Sequence, residues 1–326
     1  MDRSKVNSEI THGNFGLEIL LKEMIGDLNG GSGGNVYYVV QKSKAFYGSF
    51  LEKYQQTYED GSLAVYGDDG DGLGIQEAID ACKGGRSDYI LVGTGNYNLA
   101  AALTLVGKSS VHLLGVNGLT QDVGSLGAAA LTQTGNFENI ILEAYGEVAG
   151  FQIINKAGYS AVTCAAGKWR PTVHHNYFHM VGGADINLID WSAANAGVSG
   201  RIYKNKFTTW VGGVLNSAIN VGAGTGIDVI GNQIMASSTA MVLDYGILNN
   251  SIGGLTADNI VSECGGDGVA TNGGTITVAV QIATSGTAVN NRCAVGTGQG
   301  LAGGTASHTF VDNRDGQAGG ETTIET

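Results

Sequence analysis

Proline is almost absent from this chain, with one residue in 326 against 54 glycines. No G-X-Y period accompanies the glycine, which excludes a collagen-like triple helix. Disordered chains are polar, charged and usually proline-rich, so that class is excluded too. A near absence of proline suits strands that are paired on both sides, because proline removes a ladder donor. Charge is also scarce, at 14% of residues where soluble domains carry roughly 25%. Basic charge is scarcer still: 17 Lys and Arg against 29 Asp and Glu give a net charge of −12. With no Lys/Arg cluster, nucleic acid and anionic membranes are not expected as partners.

Other absences narrow the field further. Cys82, Cys164, Cys264 and Cys293 form no CxxC or other metal spacing, and buried free thiols in an intracellularly assembled protein are expected. The first residues, MDRSKVNSEI, lack the basic-then-apolar profile of a secretory signal. No apolar run is long enough to span a bilayer. Nucleophile-elbow, P-loop and dinucleotide motifs are missing.

What is present divides into three regions. Residues 1–34 end in the linker NGGSGG, and within them Leu17, Leu20, Leu21, Met24 and Leu28 share one helical face. A helix on a Gly/Ser tether either docks on another body, as an anchor, or closes the main domain. Residues 35–87 hold the β-rich NVYYVV and the aromatic-rich KAFYGSFLEKYQQTYEDG. They end in GLGIQEAIDACKGG, where Ile75, Ala78, Ile79 and Cys82 recur at i, i+3, i+4 and i+7. Gly84-Gly85 supplies a C-terminal stop.

Residues 88–326 form the third region, with a C-terminal cap, and carry a repeat from about 88 to 315. The pattern apolar-x-x-Asn-x-apolar appears in VHHNYF (Asn176), IYKNKF (Asn205), VIGNQI (Asn232) and ILNNSI (Asn250), and more weakly in AVNNRC (Asn291). VAGFQI places Phe151 in the Asn slot, FVDNRD repeats the frame at Asn313, and VATNGG (Asn272) is a degenerate copy. Between the copies lie second strands such as INLIDW, AINVGA and MVLDYG. Short strands at this spacing predict an all-β parallel solenoid. Stacking at about 4.8 Å per coil turns each repeated position into a ladder, giving about ten coils and a rod of roughly 50 Å. Asn tolerates a left-handed backbone, and stacked Asn side chains hydrogen-bond along the column. An open solenoid end needs a cap, and the helix carrying Ile75, Ala78, Ile79 and Cys82 is placed to supply it.

GDGLGIQEAIDAC, YILVGTGNY and VHLLGVNG together resemble the entry of pectate-lyase-like right-handed parallel β-helix proteins. The resemblance covers about 67–118 and rests on coil periodicity thereafter. NVYYVVQKSKAFYGSFLEKY is similar to β-helix proteins among tailed-bacteriophage structural genes. That implies a virion protein, assembled in the host cytoplasm: a capsid decoration or cement protein, or a fibre. Its implied partners are the major capsid protein and further copies of itself, commonly as a trimer.

Enzymatic readings of this fold require particular side chains. Polygalacturonase-type sites need several carboxylates on neighbouring coils; here RIYKN only grazes their R-I-K signature, and G-H-G is missing. The nearest lyase-like set is Asp185 and Asp190 with Arg201 or Lys204. His174, His175 and His179 crowd one segment, yet no Asp, Glu or Cys beside them completes a metal set. GDDGDG (Asp68, Asp69, Asp71) resembles part of a calcium loop without its distal Glu; it reads as a turn with a helix N-terminal acid, or as a bound calcium. Trp169, Trp191 and Trp210 fall about 20 residues apart and would stack as a sugar platform or pack against another subunit. The balance favours a structural virion protein without catalytic residues or cofactor. A tailspike-like depolymerase or a fibre that binds host surface polysaccharide is the alternative.

Overall fold

Alternating apolar residues in short glycine-bounded runs fold into parallel strands that wind around one common core. The computed structural model describes residues 34–115, 129–156, 158–180, 184–193, 196–209, 214–224, 226–236, 242–263, 275–282, 286–295, 299–303, 309–311, 313–317 and 320–324. Leu17, Leu20, Leu21, Met24, Leu28, Trp210, Cys264 and Asn272 lie outside them. Three sheets run along the structure, with eleven, ten and eight strands among the described residues. One winding illustrates the rest. Thr172–His174 belongs to the first sheet, Tyr177–Met180 to the second and Ala184–Trp191 to the third, and the chain then returns to the first at Arg201–Tyr203. Thr172 pairs with Arg201 and Arg201 with Asp228, so each winding brings the chain back to the same position of the same sheet. Neighbouring strands are parallel until Asn313–Gln317, which pairs antiparallel with Gly320–Ile324. The chain is a parallel β-helix.

The period-2 alternation of each strand decides what fills the tube. Val148, Val173, Ile202 and Val229 point inward from the first sheet, Phe151, Phe178, Phe207 and Ile234 from the second, and Ile189, Ile219 and Ile247 from the third. Phe178 and Phe207 stack with ring centroids 4.7 Å apart. Each such side chain contributes about 1.5–3 kcal/mol by leaving water. Trp191 belongs to this core and is fully buried, with Gly197 against its ring. A platform of three outward tryptophans is therefore not formed: Trp169 is exposed and Trp191 faces the interior. Cys82, Cys164 and Cys293 are buried free thiols, and burial pushes the Cys164 thiol up to about 11.

The asparagine column differs in two respects from the expected one. It runs Asn176, Asn205, Asn232, Asn259 and Asn291, with side-chain amide contacts of 2.9–3.2 Å between successive members. Asn250 is not part of it. That residue follows the third-sheet strand Val242–Asn249, and Ile252, which would have been its inward partner, is 54% exposed. The left-handed backbone is also one place earlier, at His175, Lys204, Gly231, Asp258 and Asn290 (φ 51–64°). In the interior of the column every amide group is used. The Oδ1 of Asn205 accepts from the N–H and Nδ2 of Asn176, while its Nδ2 donates to the Val173 carbonyl and to Asn232 Oδ1. At the N-terminal end, Asn176 Oδ1 takes the Phe151 N–H, so Phe151 occupies the next slot of the frame.

Helix α1 (Tyr47–Tyr54) and helix α2 (Leu73–Ala81) finish the N-terminal end. Ile75, Ala78 and Ile79 of α2 and Cys82 just beyond it are buried in the main core beside Tyr37, Ile90, Leu99 and Leu103. The helix start is held by Asp68, whose carboxylate accepts the N–H groups of Gly70, Asp71, Gly72 and Gly74. Gly72 has φ +83°, and a Cβ there would lie 2.5 Å from Leu99. Helix α1 covers the outer side of Val36–Gln41, packing Phe50 and Tyr54 on Tyr38. The edge strand Val65–Asp68 is blunted by a side chain: Gln55 accepts the Val65 N–H and donates to its carbonyl. Edge groups satisfied in this way are closed to pairing with another chain.

Candidate functional site

The outer face of the first sheet gathers the most concentrated chemistry among the described residues. Register sets Tyr89, His112, Glu147, Thr172, Arg201 and Asp228 in one row, and Leu114, Ala149, His174 and Tyr203 in the next. Leu113, Val148, Val173 and Ile202 between them face inward, so both rows face out. Glu147 sits at the centre. Its Oε2 is 2.5 Å from His112 Nδ1 and its Oε1 is 2.5 Å from His174 Nε2, on the winding before and the winding after. His112 stacks on Tyr89 at 4.4 Å and His174 stacks on Tyr203 at 4.6 Å. His174 Nδ1 in turn lies 2.7 Å from His175 Nδ1.

Electrostatics follow from these contacts. Burial would raise the Glu147 carboxyl, but hydrogen bonds and charge from His112 and His174 outweigh it and hold it at about 2. Glu147 is therefore an ionised acceptor that fixes two imidazoles, as carboxylates do in catalytic triads. It cannot serve as a general acid near neutrality. His175 is pushed below its ordinary value by burial, and then by the neighbouring His174 and Lys204. It also holds the left-handed turn position, at φ 52°.

The histidine segment divides at the turn. His174 and His175 join the Glu147 row, whereas His179 lies on the second-sheet strand Tyr177–Met180 beside the Tyr177 ring, and burial pushes its pKa down. Among the described residues no group of three His, Cys, Asp or Glu is arranged to hold a metal ion. The three carboxylates of GDDGDG diverge. Asp68 takes four backbone amides, Asp69 pairs with Lys42 at 2.7 Å, and Asp71 accepts the Leu73 N–H at the start of α2. The lyase-like set is split between sheets. Asp190 on the third sheet contacts Asn187, Asn220 and the Ser192 N–H. Arg201 stands on the first sheet, 3.5 Å from Asp228.

A second polar cluster lies at the N-terminal end. Arg86 bonds Asp60 at 2.5 Å, Asp88 at 2.6 and 2.8 Å, and the Tyr37 hydroxyl at 2.7 Å. Asp88, fully buried, also accepts the N–H groups of Asn35 and Lys83. An open cavity of about 600 Å³ beside it is lined by Asn35, Tyr58, Glu59, Asp60, Lys83 and Arg86. Its charged groups are largely engaged with one another, so it reads as a tie between segments.

Sequence reading missed Glu147 and His112 because they come from the two windings before His174. The signal was the repeat frame. Glu147 stands four places before Phe151, as Thr172 does before Asn176 and Arg201 before Asn205. No family model, curated protein or solved structure matches this chain.

Proposed function

We propose that the protein is a structural rod in a larger particle: a right-handed parallel β-helix of about ten coils that decorates or cements the head of a tailed bacteriophage. In this reading residues 1–34 anchor it, the major capsid protein is its partner, and copies associate as trimers. The observation that carries the reading is the Asn176–Asn291 column, whose amides are satisfied internally while one apolar core runs beside it from Tyr37 to Val295. Such a stack resists bending and proteolysis, because every coil is hydrogen-bonded to both neighbours. The aromatics of 36–58 pack largely into their own cluster, which leaves residues 1–34 as the anchoring candidate. The similarity of residues 35–54 to phage structural β-helix proteins points the same way.

The depolymerase reading draws its support from the outward Tyr89/His112 and Tyr203/His174 stacks, which offer flat surfaces to a sugar ring. A Glu147 held ionised near neutrality weighs against a glycosidase acid there. Mass spectrometry of purified source particles decides between the two. Abundance on the scale of the main shell protein is expected; a few copies per particle, with cleavage of host polysaccharide, would replace the scaffold reading by the enzymatic one.

A further inference from the structure

We propose that His174 and His175 form an acid-sensitive latch on the outer face of the first sheet. While one ring is neutral, the two Nδ1 atoms share a hydrogen across 2.7 Å; when both rings carry charge, the contact breaks and the His175 turn is released.

A hydrogen bond between two imidazole nitrogens needs one donor and one lone pair, and a doubly charged pair offers only donors. Imidazole is the side chain that gains charge between pH 8 and pH 5. Glu147 sits on the far nitrogen of His174, at 2.5 Å, which leaves His174 Nδ1 to face His175. His175 is the member whose surroundings lower its affinity for a proton. The groups around it all oppose a second proton or are already paired. Lys204 follows it on the next winding, and burial and His174 act in the same direction. Tyr203 meets its ring edge-on at 5.8 Å, Arg201 is held by Asp228, and Lys206 beyond the turn lies over the Tyr177 ring. Glu147, the carboxylate of this row, is shared by His112 and His174 and has no contact to give His175.

What the latch holds is the start of the asparagine column. His175 takes the left-handed conformation that turns the chain from the first sheet to the second, and its own N–H reaches the Tyr203 carbonyl at 3.3 Å, near the limit of a hydrogen bond. Asn176 follows directly and bonds Val148, Asn205 and the Phe151 N–H. A charged His175 swings toward water and loosens the first rung. Because the folded state lowers its proton affinity, the stability from this contact is complete above the ordinary histidine value of about 6.5. It is lost as pH falls through the lower folded value.

The test uses the full chain, with histidine ring NMR and amide exchange between pH 7.5 and pH 4.5. In the wild type the protection factors at His175 and Asn176 should fall about tenfold per pH unit through the His175 titration, while those at Ile202 and Val229 hold. His175→Asn keeps a residue that tolerates the left-handed turn and should abolish the acid loss. His174→Gln should raise the His175 titration toward 6.5, because His174 is one of the neighbours that hold it down. An ordinary His175 titration in the wild type, an unchanged one in His174→Gln, or the same acid loss in His175→Asn would each overturn the latch.

Discussion

The first windings and the middle windings solve the same problem with different materials. In the first, Val36–Gln41 is buried on both faces: Tyr37 and Val39 lie in the tube, and Tyr38 and Val40 lie in the cluster beneath α1. Its segments are tied by a buried ion cluster around Asp88 and Arg86. In the middle, from Thr172 to Ser262, the first sheet keeps an outward face of ionisable and aromatic side chains, and the ties between windings are neutral amides. An end needs three-dimensional closure, which aromatics, helices and charge pairs provide. A repeating interior needs only one satisfied polar group per winding, and one small Asn side chain both donates and accepts along the column.

The comparison is most readily broken at the end. Asp88→Ala removes one of the two carboxylates on Arg86, Asp60 remaining, and the acceptor of the Asn35 and Lys83 amides. With about 1–3 kcal/mol for each buried donor left unsatisfied, the loss should be about 3–5 kcal/mol. Chemical denaturation should show the N-terminal windings melting first, with near-ultraviolet signal from Tyr37 and Tyr58 lost before the rest.

In the middle windings Asn232→Ala should cost about 2–3 kcal/mol, since it strands the Asn205 N–H, the Asn205 amide and the Ile202 carbonyl. The unfolding midpoint measures it. An effect below about 0.5 kcal/mol, the low end for a single hydrogen bond, would show that water satisfies the column as well as asparagine does.

Glu147→Gln probes the outer face. The wild-type carboxyl is depressed to about 2 by His112 and His174 despite its burial. Its contribution is complete above the ordinary carboxylate value of about 4.3 and vanishes as pH falls toward 2. A quarter of the side chain is open to water, so the substitution should cost about 1–2 kcal/mol at pH 6. At pH 2 the variant and the wild type should converge. Equal losses at both values would mean that shape, and not charge, sets the contact.

Much of this architecture was legible in the chain, for reasons visible at particular residues. Inward Phe178, Phe207 and Ile234 follow their asparagines by two places, so the coil frame could be read directly. Ile75, Ala78 and Ile79 stood out because a single helix turn repeats them on one face. The Glu147 site was illegible as a local motif, because its members come from separate windings and meet only through register. The tryptophan spacing misled for the opposite reason: an interval near one coil aligns residues along the rod without saying which face each one takes. Asp190 and Trp191 are adjacent in sequence, yet Asp190 contacts Asn220 on the outer face while Trp191 fills the core.

The smallest expected effect tests the most instructive misreading. ILNNSI fits apolar-x-x-Asn-x-apolar better than TADNIV does, because Thr256 holds the first apolar slot of the true copy. Thr256 is nevertheless fully buried, with its hydroxyl bonded to Asn249 Nδ2. Spacing was the better guide: Asn259 divides the interval between Asn232 and Asn291 almost evenly, whereas Asn250 divides it into a short piece and a long one. The stretch from Asn232 to Asn250 is too short to cross three sheets, as comparison with the complete windings from Asn176 to Asn205 and from Asn205 to Asn232 makes plain. Asn250→Ala should therefore change the unfolding midpoint by less than about 0.5 kcal/mol, while Asn259→Ala, which strands Asn232 and the Val229 carbonyl, should match Asn232→Ala. Equal costs at 250 and 259 would mean that side-chain hydrogen bonding along the column does not distinguish a ladder asparagine from a loop asparagine. The ladder would then stand on backbone pairing and core packing alone.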